Sequence, residues 1–173
     1  MKNRSLFKSR EFSIASMLSA LTVVLSFLEG MLPELPVPGA KLGLANLAVM
    51  TAIDILGIKG AVCTVLVKSF FAAVTRGPAA GIMSFCGSML SAAAMWLFLR
   101  YDKNMFGYVG IGVIGAVGHN TGQLCASFAI MGSAVLYYAP FLVVSAVLTG
   151  TFTGIINSIL LPAIKKSEKY NIS

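Results

Sequence analysis

A chain of 173 residues with 57% hydrophobic and only 11% charged side chains, and a mean hydropathy of +0.87, carries too little polar surface to cover a water-soluble globule. Thirteen Lys and Arg against six Asp and Glu give a net charge of +7, but the basic residues gather at the ends of apolar runs, where they read as membrane topology and require no nucleic-acid partner. The composition therefore predicts an all-α integral membrane protein, one transmembrane domain over residues 1–173 with room for about six crossings of about 20 residues each, and no soluble domain.

The first crossing is predicted near residues 11–32. Lys2, Arg4, Lys8 and Arg10 precede it, yet it is long and has no small-x-small cleavage pattern before Pro33, so it reads as a retained helix and not as a signal peptide. On its inner half, Ala15, Ser16, Ser19 and Ala20 form two overlapping small-xxx-small pairs. Such pairs let another helix approach closely, whether from within the chain or from a docking partner. In the connection that follows, Pro33, Pro36 and Pro38 stiffen the backbone while Gly39 permits a sharp re-entry, which suits either a lid or a rigid connector.

Two short crossings are predicted near 41–56 and 60–75, separated at Gly57. Three longer ones follow near 79–99, 107–132 and 136–162, after the punctuation at Gly77-Pro78, Asp102-Lys103-Asn104 and Gly132-Ser133. With the N-terminus inside, Lys2, Arg4, Lys8, Arg10, Lys59, Arg100, Lys103, Lys165, Lys166 and Lys169 fall on one side and only Lys41 and Arg76 on the other. This asymmetry predicts a multi-pass protein of the plasma membrane with both termini cytoplasmic. Asp54 and Lys59 read as loop charges. Cys63, Cys86 and Cys125 lie inside crossings without metal-ligand spacing and read as small buried apolar residues, with no disulfide and no metal site.

The fifth crossing contains the run Gly118-His119-Asn120-Thr121-Gly122-Gln123, a set of hydrogen-bonding side chains at a depth where lipid offers no partner. Glu29, Asn46 and Lys68 fall in the same outer half of the predicted bundle, and ionisable residues inside crossings face the bundle interior or a water-filled cavity. The pattern predicts a polar pocket opening outward to capture a solute. In it Lys41, Lys68 and Arg76 are candidate anion partners, and Asn46, His119, Asn120 and Gln123 supply oriented hydrogen bonds. Glu29 either balances Lys68 or meets a cationic part of the ligand; a purely structural Glu29–Lys68 bridge is the plainer alternative.

These residues also carry a resemblance. The segment Pro38-Gly39-Ala40-Lys41-Leu42-Gly43-Leu44-Ala45-Asn46, then Lys68, then Gly118-His119-Asn120 with Gly122-Gln123, together resemble the Gx transporter family, whose members are often labelled heptaprenyl diphosphate synthase component I. The resemblance runs over nearly the whole chain. It implies likeness to the substrate-binding S components of energy-coupling-factor (ECF) vitamin transporters, with a six-helix bundle, both termini inside and an outward pocket capped by the loop after the first helix. It further implies an Ala-xxx-Ala face on the first helix that meets a transmembrane coupling subunit; Ala15-xxx-Ser19 and Ser16-xxx-Ala20 stand there in this chain, each with one Ser in place of Ala.

The enzyme label meets a chemical obstacle. Prenyl chain elongation needs paired aspartates, spaced as DDxxD on a helix, to hold magnesium on a diphosphate, whereas the only Asp residues are Asp54 and Asp102. There is no GxxxxGK[ST] phosphate loop and no HExxH, so the chain is expected to be no enzyme and to bind no cofactor, and any ATP hydrolysis belongs to partner ATPase subunits. The reading is a binding subunit for a small, anionic or vitamin-like molecule. Its alternatives are an accessory membrane protein of isoprenoid or quinone metabolism that holds a lipid between its helices, and a structural subunit of a membrane redox complex.

Overall fold

In a computed structural model that describes residues 2–31, 43–101 and 103–170, the chain forms helices and no strands among those residues. They are α1 (Lys2–Met31), α2 (Leu44–Arg76), α3 (Pro78–Tyr101), α4 (Lys103–Met131), a 3-10 turn at Ser133–Tyr138, and α5 (Ala139–Tyr170). Four stretches are long and apolar enough to cross a membrane: Arg10–Met31, Leu44–Arg76, Pro78–Tyr101 and Ser133–Lys166. At 29 residues α4 has the length as well, but its polar run at 118–123 dilutes its hydropathy. The proline-rich segment 33–39 and Lys41 lie outside the described residues.

The helix α2 is not one rod. A straight helix would hold Asn46 and Lys68 about 33 Å apart, yet Lys68 Nζ donates to Asn46 Oδ1 at 2.9 Å. The chain doubles back at Gly57, whose φ of 71° and ψ of −166° lie in a region open essentially to glycine alone. Val49 and Ile53 accordingly share one core cluster with Ala61 and Val65, their counterparts across the turn. Nothing lies within 4 Å of where a Gly57 Cβ would sit, so the cost of a side chain there is backbone strain alone. Gly57→Ala is expected to destabilise the protein by about 1–3 kcal/mol in thermal unfolding in detergent, with no loss to crowding; an unchanged midpoint would remove the reversal from its place in the fold.

Residues 45–53, the first leg of α2, are buried without interruption and form the centre of the bundle. Val49, Met50 and Ile53 pack there against Ala92 and Met95 of α3 and Ile111 of α4. Polar bonds fix α5 alongside: Thr51 Oγ1 donates to Asn157 Oδ1 at 2.9 Å, and Asp54 forms an ion pair with Lys165. Gly43 beside Thr149 and Thr51 beside Asn157 show that this leg and α5 run parallel. The α3–α4 and α4–α5 pairs run antiparallel, as Gly118 beside Ser91, Gly122 beside Cys86, and Gly150 beside Val113 require. The described chain is thus six helical segments of alternating direction, and α1 touches α2 alone among the described elements.

Three expectations change. Asp54 is no loop charge: it sits within the first leg of α2 with its carboxylate almost fully buried by the Lys165 contact. Cys63, Cys86 and Cys125 are exposed. The reason is that helix contacts in this bundle are made by Gly, Ala and Ser, which let backbones approach, so larger apolar and thiol side chains are displaced to the outer surface with Leu66, Phe70, Phe85 and Phe128. Finally, α5 runs through Pro162, beyond the predicted limit at 162, and α1 begins well before residue 11.

Candidate functional site

The reversal at Gly57 sets which residues share a level. It returns the second leg of α2 to the end where α1 finishes, where α3 begins, where α4 finishes and where α5 begins. Glu29, Asn46, Lys68, His119 and Gln123 consequently lie in one layer, all of them buried. Glu29 Oε1 accepts the Leu44 N–H at 2.6 Å, capping a helix start that Gly43, in a left-handed conformation, leaves without a side-chain cap. Lys68 uses one of its three donors on Asn46. No direct ion pair joins Lys68 to Glu29 among the described residues, but Lys68 acts electrostatically on both Glu29 and His119, and Arg76 acts on Glu29.

The polar run of α4 divides between two neighbours. His119 and Gln123, four residues apart, face inward, whereas Asn120 is rotated away and donates through Nδ2 to the Leu142 carbonyl of α5 at 2.7 Å. Asn120 is therefore brought into the α4–α5 seam and not beside His119. Arg76 is exposed at the end of α2, close enough to influence Glu29 but not buried with it. Of the proposed docking residues, Ser19 is buried and Ala15 half-buried, while Ser16 and Ala20 are exposed, so the two small-residue pairs split between the inside and the outside of the bundle.

Sequence reasoning passed over a set of serines. Ser84, Ser88 and Ser91 occupy one face of α3, at offsets of four and three residues, and are all buried; Ser69, next to Lys68, is buried too. The hydroxyls of Ser69, Ser88 and Ser91 have no hydrogen-bond partner among the described residues. The spacing was the available signal, but serine in an apolar helix ordinarily returns its proton to the carbonyl four residues back, as Thr22, Thr51 and Thr64 do here. The ring of His119 packs on Gly87 of α3, with Nδ1 against that backbone in no well-formed hydrogen bond.

That contact is tight. A Cβ on Gly87 would lie 2.8 Å from the His119 carbonyl oxygen and 3.0 Å from ring atoms Cε1 and Nδ1. Gly87→Ala is expected to push α4 off α3 and displace the ring, at about 1–3 kcal/mol of stability in detergent unfolding. Loss of any bound small molecule should accompany it, and a variant with wild-type stability and load would mean that the ring is not held by this contact.

Small cavities flank the layer. One of about 10 Å³, water-sized, is bordered by Gly43, Asn46, Thr149 and Thr153. Another of about 40 Å³ lies by Gln123, Ser127, Tyr138 and Leu142. A third, about 70 Å³ and open to the bundle's outer surface, is a groove between α4 and α5 lined by Val117, Asn120, Thr121, Leu124, Val143 and Ala146. Among the described residues no group of three His, Cys, Asp or Glu is placed to hold a metal ion.

Neither a curated protein nor a solved structure matches the chain. A family model does match, over residues 18–160, which takes in the polar layer, the Gly57 reversal and both glycine seams of α4. By that match the chain belongs to the family described as heptaprenyl diphosphate synthase component I.

Proposed function

We propose that the protein is a membrane-embedded binding subunit that captures a small anionic molecule from the outer face and acts with partner subunits that supply energy, in the manner of an ECF-type S component. The observation that carries this reading is Lys68: a cation buried to 6% exposure whose one hydrogen-bond partner among the described residues is a neutral amide, and which acts electrostatically on His119. A charge kept at such depth with no contacting counter-ion among the described residues suits an anion site.

Topology supports the direction of capture. The six alternating segments are read as six crossings, the two short legs of α2 sheltered by the helices around them. Arg10, Lys59, Arg100, Lys165 and Lys166 belong to the end that carries the Gly57 turn, and Arg76 to the end that carries the polar layer. On the positive-inside rule the Gly57 end is cytoplasmic with both termini, and the layer opens outward. Lys41, in the connection that follows α1, is proposed as a further anion contact, and the exposed Ser16–Ala20 pair as the face that meets a coupling subunit. The chain itself supplies no synthase chemistry, since it has no paired aspartates.

A second reading has its own support. The family description names a component of a prenyl diphosphate synthase, and the apolar groove between α4 and α5 would take an isoprenoid tail with its polar end near Asn120 and Thr121. Native mass spectrometry of the detergent-purified chain, with identification of what it releases on denaturation, separates the two. A water-soluble anion absent from Lys68→Ala supports the binding subunit; a prenyl lipid retained by Lys68→Ala supports the accessory component.

A further inference from the structure

Gln123 and Ser127 stand four residues apart on α4, on one face of the helix, and each is buried to 7% exposure. Among the described residues neither side chain makes a hydrogen bond. Neither is sealed in as the hydroxyls of Ser88 and Ser91 are, so both reach open space. That space is the cavity of about 40 Å³ that the two residues line together, closed in by Met83 of α3, Val135 and Tyr138 of the 3-10 turn, and Leu142 of α5. Polar side chains kept unbonded around a cavity in an apolar bundle suit the hydrogen-bonding end of a ligand.

The cavity adjoins the groove of about 70 Å³ between α4 and α5. Leu124 and Leu142 line both spaces and pack on each other, so this leucine pair is the partition between them. Val117 and Val143, on the exposed side of the groove, face the outside of the bundle, where lipid lies. The Asn120 bond to the Leu142 carbonyl ties α4 to α5 at this point, so the leucine side chains can change rotamer while the helices stay together. That bond also engages the groove's own amide, whereas Gln123 and Ser127, behind the partition, keep theirs free.

The lining decides the class of occupant. No Lys, Arg, His, Asp or Glu borders either space, so an ion there would be buried without a counter-charge; the occupant is neutral. Room for about three water molecules limits its polar end to a few atoms. The Gln123 amide and the Ser127 hydroxyl each donate and accept, which matches an alcohol or a primary amide. We infer that α4 and α5 hold a second site, for a neutral lipid-soluble amphiphile that enters from the surrounding membrane: its hydroxyl or amide passes the Leu124–Leu142 pair to reach Gln123 and Ser127, and its hydrocarbon chain stays in the groove. Gln123 is thereby assigned to this site and not to the one at Lys68, which lines neither space. The inference goes beyond the anion reading and does not rest on it.

The test uses the full chain in phosphatidylcholine nanodiscs and a long-chain alkanol with a photoreactive diazirine beside its hydroxyl, with dodecanol and dodecyl phosphate as competitors. Labelling is expected to saturate and to fall on Met83 and Met131, which line the cavity but not the groove. Dodecanol should displace the label at roughly a tenth of the dodecyl phosphate concentration or less. Gln123→Leu should weaken dodecanol by roughly fivefold to tenfold without lowering the thermal midpoint, because the amide it removes bonds nothing among the described residues. Ser127→Leu fills the cavity and should abolish labelling of Met83 and Met131; where that variant does not fold, Gln123→Leu decides. Labelling that does not saturate or stays on the groove residues Val117 and Val143, equal displacement by the two competitors, or displacement indifferent to Gln123→Leu would each overturn the inference. The Lys68-dependent release that tests the anion site is read separately and is decided by neither result.

Discussion

Gly150→Leu is expected to be the most damaging single substitution in the bundle, lowering stability by about 3 kcal/mol or more and the thermal midpoint by about 10 °C. A Cβ at Gly150 would meet the Val113 Cα at 2.5 Å and the Gly112 carbonyl oxygen at 2.8 Å, both backbone atoms that cannot turn aside. Gly112 and Gly154 return the contact, for a Cβ on either would fall 2.9 Å or less from backbone of the facing helix. In lipid there is no hydrophobic drive to press helices together, so this backbone-to-backbone approach is itself the stabilising interaction. A leucine must part α4 from α5 along two turns, and the Asn120 bond to the Leu142 carbonyl, farther along the same seam, is strained with it. Size-exclusion profiles after graded heating in detergent measure the effect. Gly30→Leu is the control, since nothing lies within 4 Å of a Cβ there. Equal behaviour of the two variants would mean that α4 and α5 are not packed at backbone contact.

Much of this architecture is legible in the residues because glycine and proline mark reversals whatever surrounds them. Gly57 and Gly77-Pro78 divide the apolar sequence where the chain turns, and Arg10, Lys59, Arg100, Lys165 and Lys166 sort to the end of the resulting bundle opposite Arg76. Side-chain direction is less legible. His119 and Asn120 are adjacent, but adjacent helical positions are about 100° apart, and only the packing of α4 between α3 and α5 decides that one faces Lys68 and the other the α5 backbone. The same holds for the cysteines. A span buried in lipid has no polar solvent to sort its faces by hydropathy, so an apolar residue is as much at home outside as in, and Gly, Ala and Ser claim the inside on size. The buried serines of α2 and α3 escape notice for a related reason, since one hydroxyl in an apolar helix carries little information until its neighbours are known and its carbonyl bond is seen to be missing.

Lys68→Met separates a binding site from a brace, because the two roles predict opposite signs. Were Lys68 the partner of a structural ion pair, its removal would strand the Glu29 carboxylate at a cost of about 3–5 kcal/mol. Lys68 instead bonds a neutral amide, and Glu29 keeps the Leu44 N–H and the charge of Arg76 after the change. Replacing a buried ammonium by a thioether of similar length removes a desolvated charge, which is neutral or stabilising by up to about 4 kcal/mol, set against the loss of one hydrogen bond to Asn46 worth about 1 kcal/mol. The ligand-free protein is therefore expected to melt at the same temperature or higher. Ligand retention should move the other way: stripping a buried anion of its cation costs about 2 kcal/mol or more, roughly a thirtyfold loss of affinity, read as depletion of the released small molecule in native mass spectra. Asn46→Leu supplies the complementary case, since it keeps the charge but removes its only bonded partner among the described residues and should lower stability. A Lys68→Met protein that is less stable and still fully loaded would return Lys68 to a structural role and take the anion site with it.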